Sequence, residues 1–290
     1  MNRTKPLSVH YRGITMPALV HSEQSVRYAQ QDFIVRDRDV FNLTYPKSGT
    51  TWMQEILTLI HSDGDPTWSR SVPSWERVPW IEQITAAGYL EMRPCPRLIS
   101  SHLPCSLFPK TFFTSQAKAI YMIRNPKDVC VSLYYYAKMS SFLEFKEDFG
   151  EFIDMFLAGK VLFGSWFDHV KGWLRLRDSK NVLLLTYEDL LKDLQGSVTR
   201  ICQFLGKDLP DPAIDSVVQN ASFSTMKENK MVNYTLVPES IMDQKVSPFL
   251  RKGISGDWKN HFTPEQSAQF DQFYQEQMRE VDVKFSWDTS

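Results

Sequence analysis

The chain has 290 residues, of which 42% are hydrophobic and 23% are charged, and its formal net charge is −1 at pH 7. This is the composition of a globular protein and excludes a disordered chain. Because basic and acidic residues almost balance, the sequence also argues against a general nucleic-acid binder, and any anion is expected to bind at a local site.

Neither a signal segment nor a membrane span is predicted. No apolar run follows the first residues, and no later stretch reaches the roughly eighteen apolar residues that a span requires. The cysteines lack the C-x-x-C spacing of metal sites and are expected to be free thiols; they are Cys95, Cys105, Cys130 and Cys202. We therefore expect a cytoplasmic protein without a bound metal.

Three strand-and-helix units follow one another along the chain. A strand over Val40–Tyr45 precedes a helix over Thr51–His61, and an apolar strand over Ala117–Ile123 precedes a helix that starts at Pro126 and runs to about Lys138. A third strand, Asn181–Thr186, also leads into a helix. This alternation predicts an α/β fold with a central parallel sheet flanked by helices, and ligands then bind at the carboxyl ends of the strands.

The remaining segments contain no repeat, low-complexity tract or linker. Further helices are predicted at about residues 166–177, 196–205 and 264–279. Residues 63–98 contain several prolines and three tryptophans and are predicted to be mostly loop. Since nothing marks a boundary, we expect one domain over residues 1–290.

The strongest local signal lies between the first strand and its helix. Here a short loop carries a lysine, hydroxyl side chains and one glycine, in the sequence Thr44-Tyr45-Pro46-Lys47-Ser48-Gly49-Thr50-Thr51-Trp52. Backbone N–H groups at a helix start, hydroxyls and an ammonium suit a tetrahedral oxyanion, so the segment predicts a P-loop-like cradle for phosphate or sulfate. An ordinary turn is the alternative.

The same loop differs from a nucleotide-kinase P-loop. A Walker loop needs glycine where Phe41 and Pro46 stand, and no partner for Mg²⁺ is evident. The missing glycines therefore argue against an ATP-dependent kinase.

Two further positions carry chemistry. Arg124 follows the second strand, and Ser132 lies on the next helix, where the pair could hold a second phosphate. The alternative is a surface arginine that pairs with Asp128. His102, in Ser-Ser-His-Leu-Pro, is singled out by its context, and Lys110 follows a few residues later.

Four motifs in this order are far more specific together than separately. They are Tyr45-Pro46-Lys47-Ser48-Gly49-Thr50-Thr51-Trp52, Ser101-His102-Leu103-Pro104, Arg124-Asn125-Pro126-Lys127-Asp128 and Arg251-Lys252-Gly253-Ile254-Ser255-Gly256-Asp257-Trp258-Lys259. Along nearly its full length the chain resembles the cytosolic sulfotransferases. The resemblance implies a PAPS-dependent enzyme, where PAPS is 3′-phosphoadenosine 5′-phosphosulfate and PAP is the product that remains after transfer.

The resemblance also implies a nucleotide site. Trp52 is expected to stack on one face of the adenine and Phe223 on the other, while Arg124 and Ser132 hold the 3′-phosphate. The full expected set is Lys47, Ser48, Gly49, Thr50, Thr51, Trp52, Arg124, Ser132, Tyr187, Ser222, Phe223, Met226, Arg251, Lys252 and Gly253.

Catalytic roles follow from the same resemblance. His102 is expected to act as the general base toward the acceptor hydroxyl. Lys47 is expected to neutralise the charge that grows on the leaving oxygen, assisted by Lys110 and Ser132. These cations make a metal unnecessary.

For the acceptor, residues 71–77, 100–104, 163–169 and 226–231 look more like the hydroxysteroid branch than the phenol branch. A flat apolar alcohol needs an aromatic-walled pocket, and the expected walls are Trp75, Trp80, Phe142 and Tyr234. Core packing is the alternative for each of these side chains. A phenol or amine sulfotransferase, or a non-catalytic sterol- or PAP-binding relative, is the alternative function.

One departure concerns assembly. In the family's dimerisation motif, a lysine and a threonine are followed by valine and glutamate. Here Lys259 and Thr263 are kept, but Pro264 replaces the valine and Ala268 replaces the glutamate. The usual dimer contact, and with it a homodimer, is therefore in doubt.

Overall fold

The computed structural model describes residues 6–289 and is organised around a parallel sheet. An antiparallel hairpin precedes it, made of Ser8–Tyr11 (β1) and Ile14–Pro17 (β2). The sheet contains Val40–Thr44 (β3), Leu98–Ser101 (β4), Lys118–Ile123 (β5) and Val182–Thr186 (β6). All pairings are parallel, in the order β4-β3-β5-β6.

Helices surround this sheet. The α-helices of the described residues are Glu23–Arg27 (α1), Thr50–His61 (α2), Thr67–Ser71 (α3), Ser74–Arg77 (α4), Ala86–Tyr89 (α5), Pro126–Met139 (α6), Phe149–Leu157 (α7), Trp166–Leu174 (α8), Tyr187–Lys192 (α9), Leu194–Leu205 (α10), Asp211–Asn220 (α11), Phe223–Glu228 (α12) and Pro264–Met278 (α13). A π-helical turn at Tyr28–Asp32 follows α1, and 3₁₀ turns lie at Cys105–Leu107, Lys110–Thr114, Asp257–Asn260 and Ser286–Thr289.

Both faces of the sheet are buried. Along β5, Ala119 and Tyr121 pack into one apolar cluster with the aromatic side chains of α8, whereas Ile120 and Met122 pack into a second cluster. That second cluster contains apolar side chains of α2, α10 and α11. Successive strand residues point to opposite faces, so a strand that is apolar throughout requires cover on both sides. The predicted α/β fold is thus confirmed.

Helix caps turn the chain sharply at the carboxyl edge of the sheet. After β5, the Asn125 side chain accepts a hydrogen bond from the Lys127 backbone N–H at 2.9 Å, and Pro126 opens α6 as predicted. After β6, the Thr186 hydroxyl accepts from the Asp189 N–H at 3.0 Å. These short turns keep the residues that follow each strand beside the sheet.

The structure differs from the sequence prediction between residues 63 and 98. This segment contains α3, α4 and α5 rather than loop alone, although α5 is interrupted by non-helical backbone at Ala87 and Gly88. The strand β4 was not predicted either. These elements have only four or five residues each, which is too short for a hydrophobic period to be recognised.

Two further features concern the described residues. No helix between residues 6 and 289 is long and apolar enough to cross a membrane. All four cysteines lie within that range, and none forms a disulfide.

Candidate active site

Each strand of the parallel sheet is followed by a side chain that lines one cavity. Lys47 comes after β3, His102 after β4, Arg124 after β5 and Tyr187 after β6. The carboxyl ends of parallel strands meet at one edge, so segments far apart in sequence converge there. The cavity has a volume of about 590 Å³.

Most of the predicted site residues line this cavity. They are Lys47, Gly49, Thr50, Thr51, Trp52, Trp75, Trp80, His102, Arg124, Ser132, Phe142, Tyr187, Ser222, Phe223, Met226, Tyr234, Arg251, Lys252 and Gly253. Ser48, within the loop between β3 and α2, is fully buried. The sequence therefore identified a set that is contiguous in space.

Lys110 is the exception and corrects the predicted catalytic set. Its side chain is exposed and does not line the cavity. The next residue, Thr111, donates a hydrogen bond to the Phe33 carbonyl at 2.9 Å and accepts one from the Val35 N–H at 3.1 Å. Phe33 and Val35 precede β3, so Lys110 lies toward the amino end of the sheet, away from the reacting groups.

The loop between β3 and α2 is the predicted anion cradle. Gly49 caps α2 with a left-handed backbone, φ +106°, and a Cβ at this position would meet the Met122 side chain at 2.8 Å. The left-handed backbone favours glycine at this position. The first residues of α2, Thr50 and Thr51, line the cavity, and the Thr50 hydroxyl is hydrogen-bonded to that of Thr44 at 2.6 Å. A helix N-terminus with such neighbours binds oxyanions.

Lys47 supplies positive charge in an unusual setting. Its ammonium lies 4.6 Å from the centre of the Tyr136 ring and 4.2 Å from that of Phe249. Burial, together with the neighbouring charges of Arg124 and Arg251, lowers the pKa of Lys47 to about 7. An anion bound here would restore the stability of the charged form.

Arg124 is held from two directions. Its terminal nitrogens donate to the carbonyls of Lys47 and Ile254, each at 3.1 Å, and its guanidinium lies 4.3 Å from the Tyr187 ring centre. Its Nε and the hydroxyl of Ser48 are buried without a hydrogen-bond partner among the described residues. Buried donors of this kind are normally paired, and a phosphate would fit both the charge and the missing acceptor.

The last of the four motifs, residues 251–259, adds two more cations. The buried carboxylate of Asp257 lies 2.6 Å from both the Arg251 guanidinium and the Lys252 ammonium. Burial alone would raise the pKa of Asp257, but hydrogen bonds from Lys252, Asn260 and Arg251 outweigh it and hold the pKa below its usual range. Asp257 therefore stays ionised and orients both cations.

Asp128, which lies on α6, holds the motif of residues 251–259 against that helix. Its carboxylate accepts from the backbone N–H groups of Gly256 at 2.7 Å and Trp258 at 3.0 Å. Asp128 is thus occupied by the loop, and Arg124 is buried, with an exposed fraction of 8%. The alternative of a surface pair between Arg124 and Asp128 is wrong.

Aromatic rings flank the anion-binding groups. The Trp52 indole N–H donates to the Ala221 carbonyl at 2.8 Å, which fixes the plane of its ring. Phe223 lies against Gly253, whose missing side chain leaves room for the ring: a Cβ there would come within 2.2 Å of it. Trp52 and Phe223 both line the cavity and can enclose a flat heterocycle.

His102 is prepared to accept a proton. Its Nδ1 lies 2.9 Å from the Thr44 carbonyl oxygen, which can only accept, so Nδ1 carries the hydrogen and Nε2 has a free lone pair. Burial lowers the pKa of His102 to about 4, so the ring is neutral at pH 7. A neutral imidazole is the form that a general base requires.

The other end of the cavity is apolar and aromatic. Trp75 packs on Tyr234 with ring centres 4.9 Å apart, and Tyr234 stacks on Phe249 at 3.9 Å. Trp80 lies 5.9 Å from the His102 ring. The sequence did not predict the further lining residues Pro17, Leu19, Val20, His21, Gln83, Leu162, Phe163, Val237, Ile241 and Met242.

Comparison with known proteins gives this arrangement a family. The Sulfotransferase domain matches residues 37–282. The chain belongs to the sulfotransferase family. It is 54% identical to mouse sulfotransferase 2B1, covering 97% of this chain and 82% of the relative, and 47% identical to human sulfotransferase 2A1, covering 96% and 98%. A 3-beta-hydroxysteroid sulfotransferase of Cavia porcellus is also 47% identical, covering 96% and 97%. These identities place the chain in the hydroxysteroid branch.

Solved structures agree with this assignment. A mouse sulfotransferase complexed with PAP is similar with a TM-score of 0.79 and 34% identity, covering 95% of this chain and 96% of that one. Retinol dehydratase in complex with androsterone and PAP gives a TM-score of 0.84 and 26% identity, covering 96% and 92%. The predicted fold and family are confirmed.

Two residues that contact the backbone of His102 were missed from the sequence. The Glu82 carboxylate accepts from the His102 backbone N–H at 2.8 Å, and His169 Nε2 donates to the His102 carbonyl at 3.1 Å. Burial raises the pKa of Glu82 to about 7. Their contacts are to the backbone of a residue distant in sequence, so a local motif could not indicate these roles, although His169 lies within the segment 163–169.

Proposed function

We propose that this sulfotransferase moves the sulfuryl group of PAPS to the hydroxyl of a hydroxysteroid or a similar hydrophobic alcohol. The observation that carries the proposal is a single cavity that joins an anion cradle to an aromatic pocket and is lined by the neutral imidazole of His102. Such a cavity fits a nucleotide at one end and a flat alcohol at the other.

The basic side chains suggest how PAPS is held. We propose that Lys47 and the first residues of α2 contact the 5′-phosphosulfate, whereas Arg124, Ser132 and the Arg251–Gly253 segment contact the 3′-phosphate. The buried Nε of Arg124, which has no partner among the described residues, supports the second assignment. Trp52, Tyr187, Ser222, Phe223 and Met226 would enclose the adenosine. Two similar proteins have been solved in complex with PAP.

The chain's own groups account for the chemistry. His102 Nε2 takes the proton of the acceptor hydroxyl while that oxygen bonds to sulfur. The bond from sulfur to the bridging phosphate oxygen breaks, and the charge left on that oxygen is neutralised by Lys47, with Ser132 as a further donor. Because protein cations perform this neutralisation, we propose that transfer needs no added metal ion.

The acceptor class rests on the pocket and on the relatives. Trp75, Trp80, Phe142 and Tyr234 provide aromatic walls, and the most similar proteins include sulfotransferases named for 3-beta- and 3-alpha-hydroxysteroids. A similar fold has been solved with androsterone bound. A steroid alcohol is therefore favoured over a phenol or an amine.

We also propose that the enzyme acts in the cytoplasm and that its family dimer contact is altered. Pro264 opens α13, with Thr263 as its cap, and the side chain of Ala268 on that helix is too short to replace a glutamate. An assembly that depends on the family motif is not expected here.

The proposal is tested by following transfer from radiolabelled PAPS without added metal to three acceptors: a 3β-hydroxysteroid, a simple phenol and an aryl amine. Steroid-selective transfer is expected, and a chelator should leave it unchanged. Selectivity for the phenol or the amine would overturn the acceptor class. Binding of PAPS without any transfer would instead favour a non-catalytic relative.

A further inference from the structure

The acceptor pocket contains a second imidazole that the proposed reaction does not use. His21 lines the cavity, and only 6% of its surface is exposed. Its Nδ1 lies 3.0 Å from the Pro17 carbonyl oxygen, so Nδ1 donates. Nε2 is therefore an acceptor, and it is buried without a hydrogen-bond partner among the described residues.

His21 lies close to the reacting end of the pocket. Its ring packs edge-on against Phe163 with centroids 5.6 Å apart, and the His102 ring packs on the same phenyl group at 5.2 Å. The two imidazoles are separated by no more than one aromatic side chain. A steroid whose hydroxyl reaches His102 would therefore present its first rings to His21.

A second polar side chain belongs to the same part of the wall. Gln83 lines the cavity, and its amide makes no hydrogen bond to any residue between 6 and 289. The Ile84 backbone N–H donates to the Val20 carbonyl at 2.9 Å, which joins the segments that carry Gln83 and His21. A donor and an acceptor without partners among the described residues thus belong to two side chains that line one pocket.

We propose that His21 and Gln83 form a second polar subsite, which binds a second hydroxyl of the acceptor. The inference rests on the proposed steroid sulfotransferase function. A hydroxyl matches both groups, because its O–H donates to His21 Nε2 and its oxygen accepts from the Gln83 amide. A keto oxygen can satisfy only the amide, and a hydrogen at that position satisfies neither group.

A polar subsite discriminates strongly because its groups are left unpaired by an acceptor that lacks the matching group. The enzyme therefore prefers steroids with a second hydroxyl on the A or B ring over the matching ketone and over the monohydroxy compound. We expect a preference of about five- to tenfold in kcat/KM, the size of one ordinary hydrogen bond.

The test compares three 3β-hydroxysteroids that differ only in a second hydroxyl, a ketone or a hydrogen on the B ring. Transfer from radiolabelled PAPS is measured for wild type and for His21→Phe, which keeps a ring but removes the acceptor nitrogen. The preference for the dihydroxy steroid should disappear in His21→Phe and return in part in His21→Gln, which restores an acceptor. The exposed His10→Phe, outside the cavity, is the matched control and should keep the preference.

The outcomes separate the two proposals. No transfer by wild type to any of the three steroids would defeat the function itself. Transfer with equal kcat/KM for the three, or a preference that survives in both His21→Phe and Gln83→Leu, would overturn the subsite. Folding of each variant is checked by PAP binding, and if His21→Phe does not bind PAP, Gln83→Leu decides, because losing the same preference there supports the subsite.

Discussion

His102 has three of its four polar groups already engaged. Its Nδ1 donates to Thr44, its backbone N–H donates to Glu82 and its carbonyl accepts from His169. Only Nε2 is left for chemistry. This arrangement fixes both the tautomer and the position of the base before an acceptor arrives, which is the kind of support that catalytic geometry requires.

The first prediction concerns His102→Ala. Transfer should fall by about 10²–10⁴-fold, the usual contribution of a general base. The affinity for PAP should stay near the wild-type value, because His102 serves the acceptor hydroxyl and not the phosphates. Single-turnover transfer and calorimetric titration with PAP measure the two effects. Unchanged turnover in the variant would remove His102 from the mechanism.

A second prediction concerns the pH dependence of PAP binding. Burial lowers the pKa of Lys47 to about 7 in the free protein, and a bound anion raises it, so binding takes up a proton above pH 7. Affinity is then fully present below pH 7 and falls as the pH rises, by up to about tenfold per pH unit. The phosphates of PAP, with a second pKa near about 6, are already ionised in this range.

Calorimetry between pH 7 and 9, in buffers with different ionisation heats, counts the protons taken up. Lys47→Arg is the control, because a guanidinium stays charged throughout and should remove the uptake. A wild-type affinity that does not vary with pH, with no proton uptake, contradicts the assignment.

For individual residues, the sequence predicted the side chains that directly follow strands, and it missed those whose role depends on tertiary contacts. Lys47 and Arg124 could be placed because a strand before each residue fixes its position at the sheet edge. Glu82 and His21 carry no local pattern, since Glu82 contacts the backbone of His102 and His21 is buried against Phe163. Lys110 was wrong because nearness to His102 in sequence does not survive the turns between them.

At the scale of elements, the loop that follows α12 contains two glycines, Gly253 and Gly256, with different surroundings. Both Gly253 and Gly256 have a left-handed backbone, with φ of +67° and +82°. A Cβ on Gly253 would meet the Phe223 ring at 2.2 Å, whereas a Cβ on Gly256 would meet nothing within 4 Å. A side chain at position 253 is therefore disfavoured by the contact and by the backbone conformation, whereas at position 256 it is disfavoured by the backbone conformation alone.

We therefore expect Gly253→Ala to weaken PAP binding by roughly five- to a hundredfold, because overpacking costs about 1–3 kcal/mol and Phe223 belongs to the proposed nucleotide wall. Gly256→Ala carries the backbone strain alone, roughly 1–2 kcal/mol, and should lower the melting temperature with little change in PAP affinity. Titration calorimetry and thermal unfolding compare the two. Equal losses of affinity would show that the ring contact is unimportant.

Length alone did not decide which elements were predicted, because the five-residue strands β3 and β6 were predicted whereas α7 and α11 were not. A strand such as β5 or a helix such as α6 shows its period within the segment. In contrast, β4 and α4 depend on contacts from elsewhere: the Ser100 N–H donates to the Pro79 carbonyl at 2.8 Å, and the Ser74 N–H donates to the Met231 carbonyl at 2.8 Å. Tertiary hydrogen bonds of this kind leave no local signature.

For the whole molecule, the nucleotide end of the cavity brings together segments from both halves of the chain. Lys47, Arg124 and Lys252 meet there although they are far apart in sequence. A ligand that bridges these segments binds the folded chain only, and it must therefore stabilise the fold.

PAP at about one hundred times its dissociation constant should add about 2.7 kcal/mol and raise the melting temperature by roughly 5–10 °C. Adenosine 5′-monophosphate, which lacks the 3′-phosphate, leaves Arg124, Arg251 and Lys252 without an anion and should give a much smaller shift at the same concentration. Differential scanning fluorimetry makes the comparison. Equal shifts would argue against a separate 3′-phosphate site.

Each parallel strand positions one residue of the site. The geometry of the site therefore depends on the sheet, the part of the protein that resists unfolding longest. Spacing among Lys47, His102 and Arg124 is set by the register of three adjacent strands, β3, β4 and β5, and core strands are the last part of a domain to open. Peripheral loops can open and close without disturbing that spacing. On heating, the arrangement of the site residues should accordingly be lost in the same step as the packing of the core. Activity should therefore persist up to the temperature at which the fold unfolds.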